Sequence, residues 1–218
     1  MFNKLILIIA TLILAGCANT HNIPLQADAF AVNPPETLAT TNREKPDFAA
    51  MTSTKGAFAL IGAFAAISAG NELVEENQIE DPAVYIRQSL KESLQQQMSL
   101  TPIDQSELVL DSEKTEEIAK HYPAADLVLD IQTYNWSFLY FPTSWDTYHV
   151  IYSAKLRLID TRNSKLVAEG FCIRNPEQDE NSPSYAELVA NSAKRLKSEL
   201  QLAADHCVEE FKTKVLNI

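Results

Sequence analysis

The sequence predicts an α+β fold, a two-layer sandwich in which a mainly antiparallel sheet is backed by helices. Residues 147–160 alternate cleanly, with Tyr148, Val150, Tyr152, Ala154, Leu156 and Leu158 on one side and Thr147, His149, Ser153, Lys155 and Arg157 on the other. That is the period of a strand with one buried and one wet face. From Ser182-Pro183 to about Lys214, the residues Tyr185, Leu188, Val189, Ser192, Leu196, Leu200, Ala203, Cys207 and Phe211 recur at helical spacing, which predicts a long amphipathic helix lying across the sheet. The order helix, strand, helix, three strands, helix completes the class. With 46% hydrophobic and 22% charged residues, the composition suits one globular domain, placed at residues 71–218.

The chain opens on a leader. Lys4 supplies a positive n-region, Leu5 to Leu14 form an apolar run broken by Thr11, and small residues precede Cys17. The run is about half the length that spans a bilayer, so residues 1–16 read as a signal peptide to be removed. The block Leu14-Ala15-Gly16-Cys17 resembles the lipobox of bacterial lipoproteins. The resemblance implies cleavage before Cys17, a diacylglyceryl thioether on its sulfur and an acylated amino terminus. Two or three acyl chains anchor stably where one does not. Ala18 and Asn19 lack the aspartate that commonly signals inner-membrane retention in that family, so the resemblance implies a periplasm-facing body anchored at the outer membrane.

Residues 17–54 read as the lipidated cysteine and a flexible tether, because Pro24, Pro34, Pro35 and Pro46 lie among Thr, Asn and Ala with no sustained apolar period. Fully stretched, such a tether reaches over roughly 100 Å. Without Lys4 the chain keeps 17 basic against 29 acidic residues, a net of −12. A surface of that sign repels phosphate backbones, and no basic stripe with interleaved aromatics offsets it, so nucleic acid is excluded as a partner. Tight binding to anionic headgroups is disfavoured for the same reason.

With Cys17 taken by lipid, Cys172 and Cys207 remain as an even pair in an oxidising compartment, which predicts a disulfide. Cys207 sits on the stripe of the last helix and Cys172 ends a strand. Closing that loop of about 35 residues would stabilise by roughly 4 kcal/mol on the chain-entropy model. Two free buried thiols are the alternative. A metal site would have to recruit His121, His149 or His206, and no C-x-x-C or H-x3-H spacing is present.

Residues 55–70 form a Gly/Ala-rich apolar segment in which Gly62, Ala66 and Gly70 recur every fourth position, the spacing that lets helices approach closely. It reads either as a buried helix or loop, or as a surface for a partner, a second copy or the membrane. Asp81-Pro82 then supplies an N-cap and first residue for a helix whose stripe is Ile86, Leu90, Leu94 and Met98. A strand at 100–110 and a short polar helix at 112–121 follow.

Three strands are expected at 126–138, 147–160 and 165–173. For Cys172 to share the buried face, Leu158 must stand opposite Leu166 across the turn Thr161-Arg162-Asn163, with Asn163 left-handed. The first strand changes phase: Leu127, Leu129 and Ile131 are odd, whereas Tyr134, Trp136, Phe138 and Tyr140 are even. A bulge near Gln132 or Thr133 would return all of them to one face. Without it, Tyr134, Trp136, Phe138, Tyr140 and Trp145 form an exposed aromatic recognition surface, with Tyr140, Phe141 and Trp145 in the loop beyond.

In element order and lipobox the body looks like the small periplasmic domains of the TolB amino-terminal, CsgG and LpoB-type lipoproteins, over roughly residues 81–211. It departs from them in the Gly/Ala segment and the stapled terminal helix. The resemblance implies binding to envelope proteins or assembly into secretion pores. No G-x-S-x-G, H-E-x-x-H or glycine-rich phosphate loop is present, so neither catalysis nor a cofactor is expected. The expectation is a lipid-anchored, non-enzymatic module that binds an envelope protein. Its alternative is a homo-oligomeric assembly subunit that uses residues 56–70.

Overall fold

The computed structural model describes residues 22–57, 59–103 and 108–218. The fold is α+β, as expected. Its frame is an antiparallel meander of β4 (Leu127–Phe141), β5 (Ser144–Asp160) and β6 (Lys165–Arg174). Two short strands add in parallel along the free side of β4. Of these, β1 (Thr37–Thr40) lies beside 127–129 and β2 (Ala49–Met51) beside 137–139. Outside β1 lies β3 (Thr101–Pro102), which completes a six-stranded mixed sheet.

On one face pack α3 (Pro82–Met98) and α5 (Tyr185–Phe211), which bury Ile86, Leu90, Leu94, Leu196 and Phe211 against Leu129, Ile131, Tyr152 and Leu156. The short α4 (Thr115–His121) covers one end of the other face with Ile118 and Tyr122 over Val128 and Ile159. On β5 the six alternating residues from Tyr148 to Leu158 are all buried. At the start of α3 the Asp81 carboxylate accepts from the Ala83 amide, and Ile86, Leu90 and Leu94 are its buried stripe.

The tether is the largest correction. From Asn22 onward its residues belong to the body: Ile23 exchanges backbone hydrogen bonds with Glu169 on β6, Leu25 is buried, and β1 and β2 are strands of the sheet. Each strand is too short to show a period of its own, so the partner supplies the order that the sequence lacks. The Gly/Ala segment is also not a separate unit. It forms α1 (Ser53–Gly56) and most of α2 (Ala59–Glu76), which runs across the expected boundary at residue 70. Gly62, Ala66 and Gly70 face inward. A Cβ on Gly62 would lie 1.8 Å from the Lys55 carbonyl oxygen, and one on Gly70 2.0 Å from that of Phe48. The small-residue stripe therefore serves close packing of α2 on α1 and β2, within the same chain.

Three smaller expectations also change. Of the strand expected at 100–110, the described residues show β3 and an isolated bridge from Val109 to Asn42. The β5–β6 turn is one residue longer than expected: Asp160 pairs with Lys165, and Ser164 takes the left-handed conformation, with φ 55°. A register shift between Leu158 and Ile159 then sets Leu158 opposite Ala168 and Ala154 opposite Cys172, so Cys172 still reaches the buried face. Finally, α5 is kinked at Asn191, Ser192 and Ala193, whose φ values are 52°, 56° and 55°. The kink shifts the helical phase, so Ala193 is buried and Ser192, expected on the stripe, is exposed.

Candidate functional site

The aromatic run divides into core and surface. Thr133 pairs with Ala154 and Asn135 with Ser153, so Tyr134 is the extra residue of a bulge. The bulge returns the even residues to the odd face. Trp136 is 1% exposed and Phe138 is fully buried. The Trp136 indole donates to the Pro46 carbonyl at 2.9 Å, and its ring meets Phe48 edge-on at 5.1 Å between centroids. These two are core, not a recognition surface. Tyr140 is half-buried against the same core, and Tyr140, Phe141 and Trp145 stand in strands joined by the two-residue turn Pro142-Thr143. Only Tyr134 and Trp145, 44% and 66% exposed, face solvent. Tyr134 is engaged even so: its hydroxyl donates to Glu113 at 2.6 Å and its ring sits edge-on to Phe171. The five residues do not form one site.

The exposed apolar surface lies on α2 instead. Ile61, Phe64, Ala65 and Ser68 recur at helical spacing on the side opposite the glycine stripe, and Ile61 and Phe64 are 78% and 75% exposed. Further along the same helix Glu72, Glu75 and Glu76 are exposed, so an apolar half is followed by an acidic half. The sequence did signal this segment through its apolar density, although the wrong stripe, the glycines, drew attention.

Two polar clusters stand out in the interior. Asp130 on β4 is fully buried and takes two hydrogen bonds from Arg43, at 2.7 and 2.8 Å, and one from Thr41 at 2.6 Å. Arg157 on β5 approaches it at 2.8 Å. Sequence reasoning missed this cluster, because Arg43 is 87 positions from its partner. Apart from the Arg157 Nε, which meets Asp130 as an ion pair without a hydrogen bond, its groups are partnered by one another and by the Leu110, Ser112 and Glu113 carbonyls, as buried charges must be. It ties the crossover between β1 and β2 to the sheet.

The second cluster is Asp81, Thr133 and Tyr152. The Thr133 hydroxyl donates to Asp81 at 2.5 Å and lies 2.9 Å from the Tyr152 hydroxyl. Burial raises the Asp81 pKa, against the hydrogen bonds from Thr133 and Ala83 and the charges of Lys45 and Arg87. Burial also raises that of Tyr152, with the Asp81 charge adding to it. Asp81 borders an open cleft of about 680 Å³ lined also by Lys45, Tyr85 and Lys197. A carboxyl with a raised pKa in a cleft is a functional-site signal. Here, though, its Oδ1 both caps α3 and holds Thr133.

Cys172 and Cys207 form the expected disulfide, with Cα atoms 5.5 Å apart. Cys172, His206 and Glu210 bring potential ligand atoms within 4.8 Å of one another. The disulfide occupies the sulfur, which leaves a His–Glu pair whose atoms are 3.5 Å apart. Burial lowers the pKa of His149, which stacks on Phe141 at 4.3 Å. Cys17 lies outside the described residues. Among the described residues no helix is long and apolar enough to cross a membrane.

No family model and no curated protein matches the chain. Among solved structures it is similar to the PelC dodecamer from Paraburkholderia phytofirmans, at 14% identity and a TM-score of 0.36 over 88% of this chain and 93% of that one. It is similar to the hypothetical protein CT253 from Chlamydia trachomatis, at 12% identity and a TM-score of 0.39 over 82% and 95% of the two chains. A third is the lipoprotein GNA1162 from Neisseria meningitidis, at 15% identity and a TM-score of 0.29 over 81% and 99%. With TM-scores this low, none of the three carries a functional argument.

Proposed function

We propose that the chain is a lipid-anchored, non-enzymatic lipoprotein of the cell envelope, held at the outer membrane through Cys17, which presents the apolar half of α2 to a protein partner. The exposed stripe of Ile61, Phe64 and Ala65 carries this reading. Contiguous exposed apolar side chains on a helix that is firmly packed on its other side are what protein interfaces use. No cofactor enters the reading.

The test has two arms. Cys17→Ser should release the protein from membranes or leave the leader attached; a substituted protein that is cleaved and still pellets with membranes overturns the anchor. Replacing Ile61 and Phe64 together by Ser should change stability by no more than about 0.5 kcal/mol, as for other exposed sites. It should also abolish crosslinking of α2 in intact envelopes. Crosslinks between two copies of the chain would make the partner a second copy, and crosslinks that survive the double substitution would remove α2 from the interface.

A further inference from the structure

Cys17 and the sheet are closer in sequence than a long tether would allow. Only residues 18–21 separate the cysteine from Asn22. The Asn22 side chain accepts from the Phe171 amide at 3.1 Å, and the Ile23 amide donates to Glu169 at 2.7 Å. The Leu25 amide donates to the Val215 carbonyl at 2.7 Å. The chain is thus fixed to the outer edge of β6 from its first described residue. A leash of four intervening residues spans at most about 18 Å.

That edge differs in charge from the rest of the molecule. Along the strap and β6 with its turn, residues 22–33 and 160–174, Arg162, Lys165 and Arg174 stand against Asp28, Asp160 and Glu169, a net of 0 in a chain whose total is −11. Two of these cations are paired within the protein, Arg162 with Asp160 and Arg174 with Glu199. Lys165 is exposed and in no ion pair among the described residues. The Arg162 guanidinium, also exposed, donates to the Asn33 carbonyl, which brings Val32, 99% exposed, beside the β5–β6 turn. Ile173 is 52% exposed at the other end of β6. Apolar side chains flanked by cations are the composition that lies on anionic headgroups. The exposed acids of α2 stand on the opposite side of the sheet, beyond β4.

We infer that the body lies directly on the bilayer, with the β6 edge and the strap of residues 22–33 against the headgroups and α2 turned away. The inference rests on the Cys17 anchor proposed above. It replaces a body suspended at the end of a long tether with one whose orientation is fixed. It also commits to a membrane surface as the occupant of this edge, because the leash ends there and the edge lacks the acidic excess of the rest of the chain.

The test uses the full mature protein, purified from membranes and reconstituted into vesicles of phosphatidylethanolamine and phosphatidylglycerol. A small fluorophore is placed on Val32→Cys, on Lys165→Cys or, as the far-side control, on Ser68→Cys, all exposed positions. Quenching by lipids carrying a nitroxide on the headgroup is then read. The expected result is quenching at 32 and 165 several-fold stronger than at 68, with loss of the difference in vesicles lacking the nitroxide. Equal quenching at all three positions overturns the orientation. The mass of the N-terminal peptide, read on the same preparation, separates this failure from that of the anchor: an acylated Cys17 with equal quenching rejects only the orientation, whereas an unmodified Cys17 rejects both.

Discussion

The β6 edge of the sheet is closed by a disulfide to α5 and by backbone hydrogen bonds to the strap, whereas the β1/β2 edge is held by noncovalent contacts alone. On that second side Arg43 ties the crossover to Asp130, Phe48 packs against Trp136, and Gly70 lets α2 approach β2 backbone to backbone. A covalent link acts chiefly on the unfolded chain and tolerates imperfect packing around it. Close packing has no such tolerance, since each atom added or removed is felt directly. The two edges should therefore fail under different treatments, and three measurements test whether they do.

The largest effect is expected from Trp136→Ala. Removing a buried tryptophan should cost about 3 to 5 kcal/mol, and the loss should appear as raised hydrogen exchange in β2 and α2 before β6. Trp145→Ala, on the exposed start of β5, should stay within about 0.5 kcal/mol of the parent. Thermal midpoints of the two variants decide the matter: similar losses would mean that the bulge at Tyr134 does not divide the aromatic run as described.

Replacing Cys172 and Cys207 together by Ser should cost about 2 to 4 kcal/mol in chemical denaturation. Exchange should rise in β6 and α5 while β2 and α2 keep their protection. If β2 opens first in this variant too, the edges are not independent and the contrast between them fails. Two alkylatable thiols in the native protein would remove its premise.

The smallest effect concerns Asp81, which caps α3 and belongs to neither edge. Burial raises its pKa in the folded protein. The folded state therefore binds this proton more tightly than the unfolded chain, for which the pKa is near 3.9. The contribution is fully present below that value and is lost as pH rises through the raised folded pKa. Asn and Asp are equivalent N-caps, so Asp81→Asn should start α3 equally well and lack this loss. Thermal midpoints of parent and variant, compared from pH 4 upward, should diverge in favour of the variant and then run parallel. A constant difference across that range would mean that Asp81 has the same pKa in both states.

Much of the β6 side was legible in the sequence. The alternation on β5, the stripe of α5 and the even cysteine count all act over short separations or through a single chemical bond, so they pointed to the pairing of Cys172 with Cys207 that the structure shows. Asp81-Pro82 marked the start of α3 for the same reason, since capping is local. The resemblance of Leu14 to Cys17 to a lipobox is likewise a property of adjacent residues, and the anchor proposed from it rests on sequence alone.

What tertiary structure alone decided lies on the β1/β2 side and at the bulge. A strand of three or four residues carries no readable period, so β1 and β2 look like tether until β4 supplies their hydrogen-bond partners. The phase change after Ile131 allows two outcomes, an exposed aromatic face or a bulge. Burial of Trp136 under Phe48 chooses the bulge, because leaving such rings in water forfeits the hydrophobic gain of covering them. Which stripe of α2 faces outward was settled in the same way: only glycine fits against the Phe48 and Lys55 carbonyls, which leaves Ile61 and Phe64 outside.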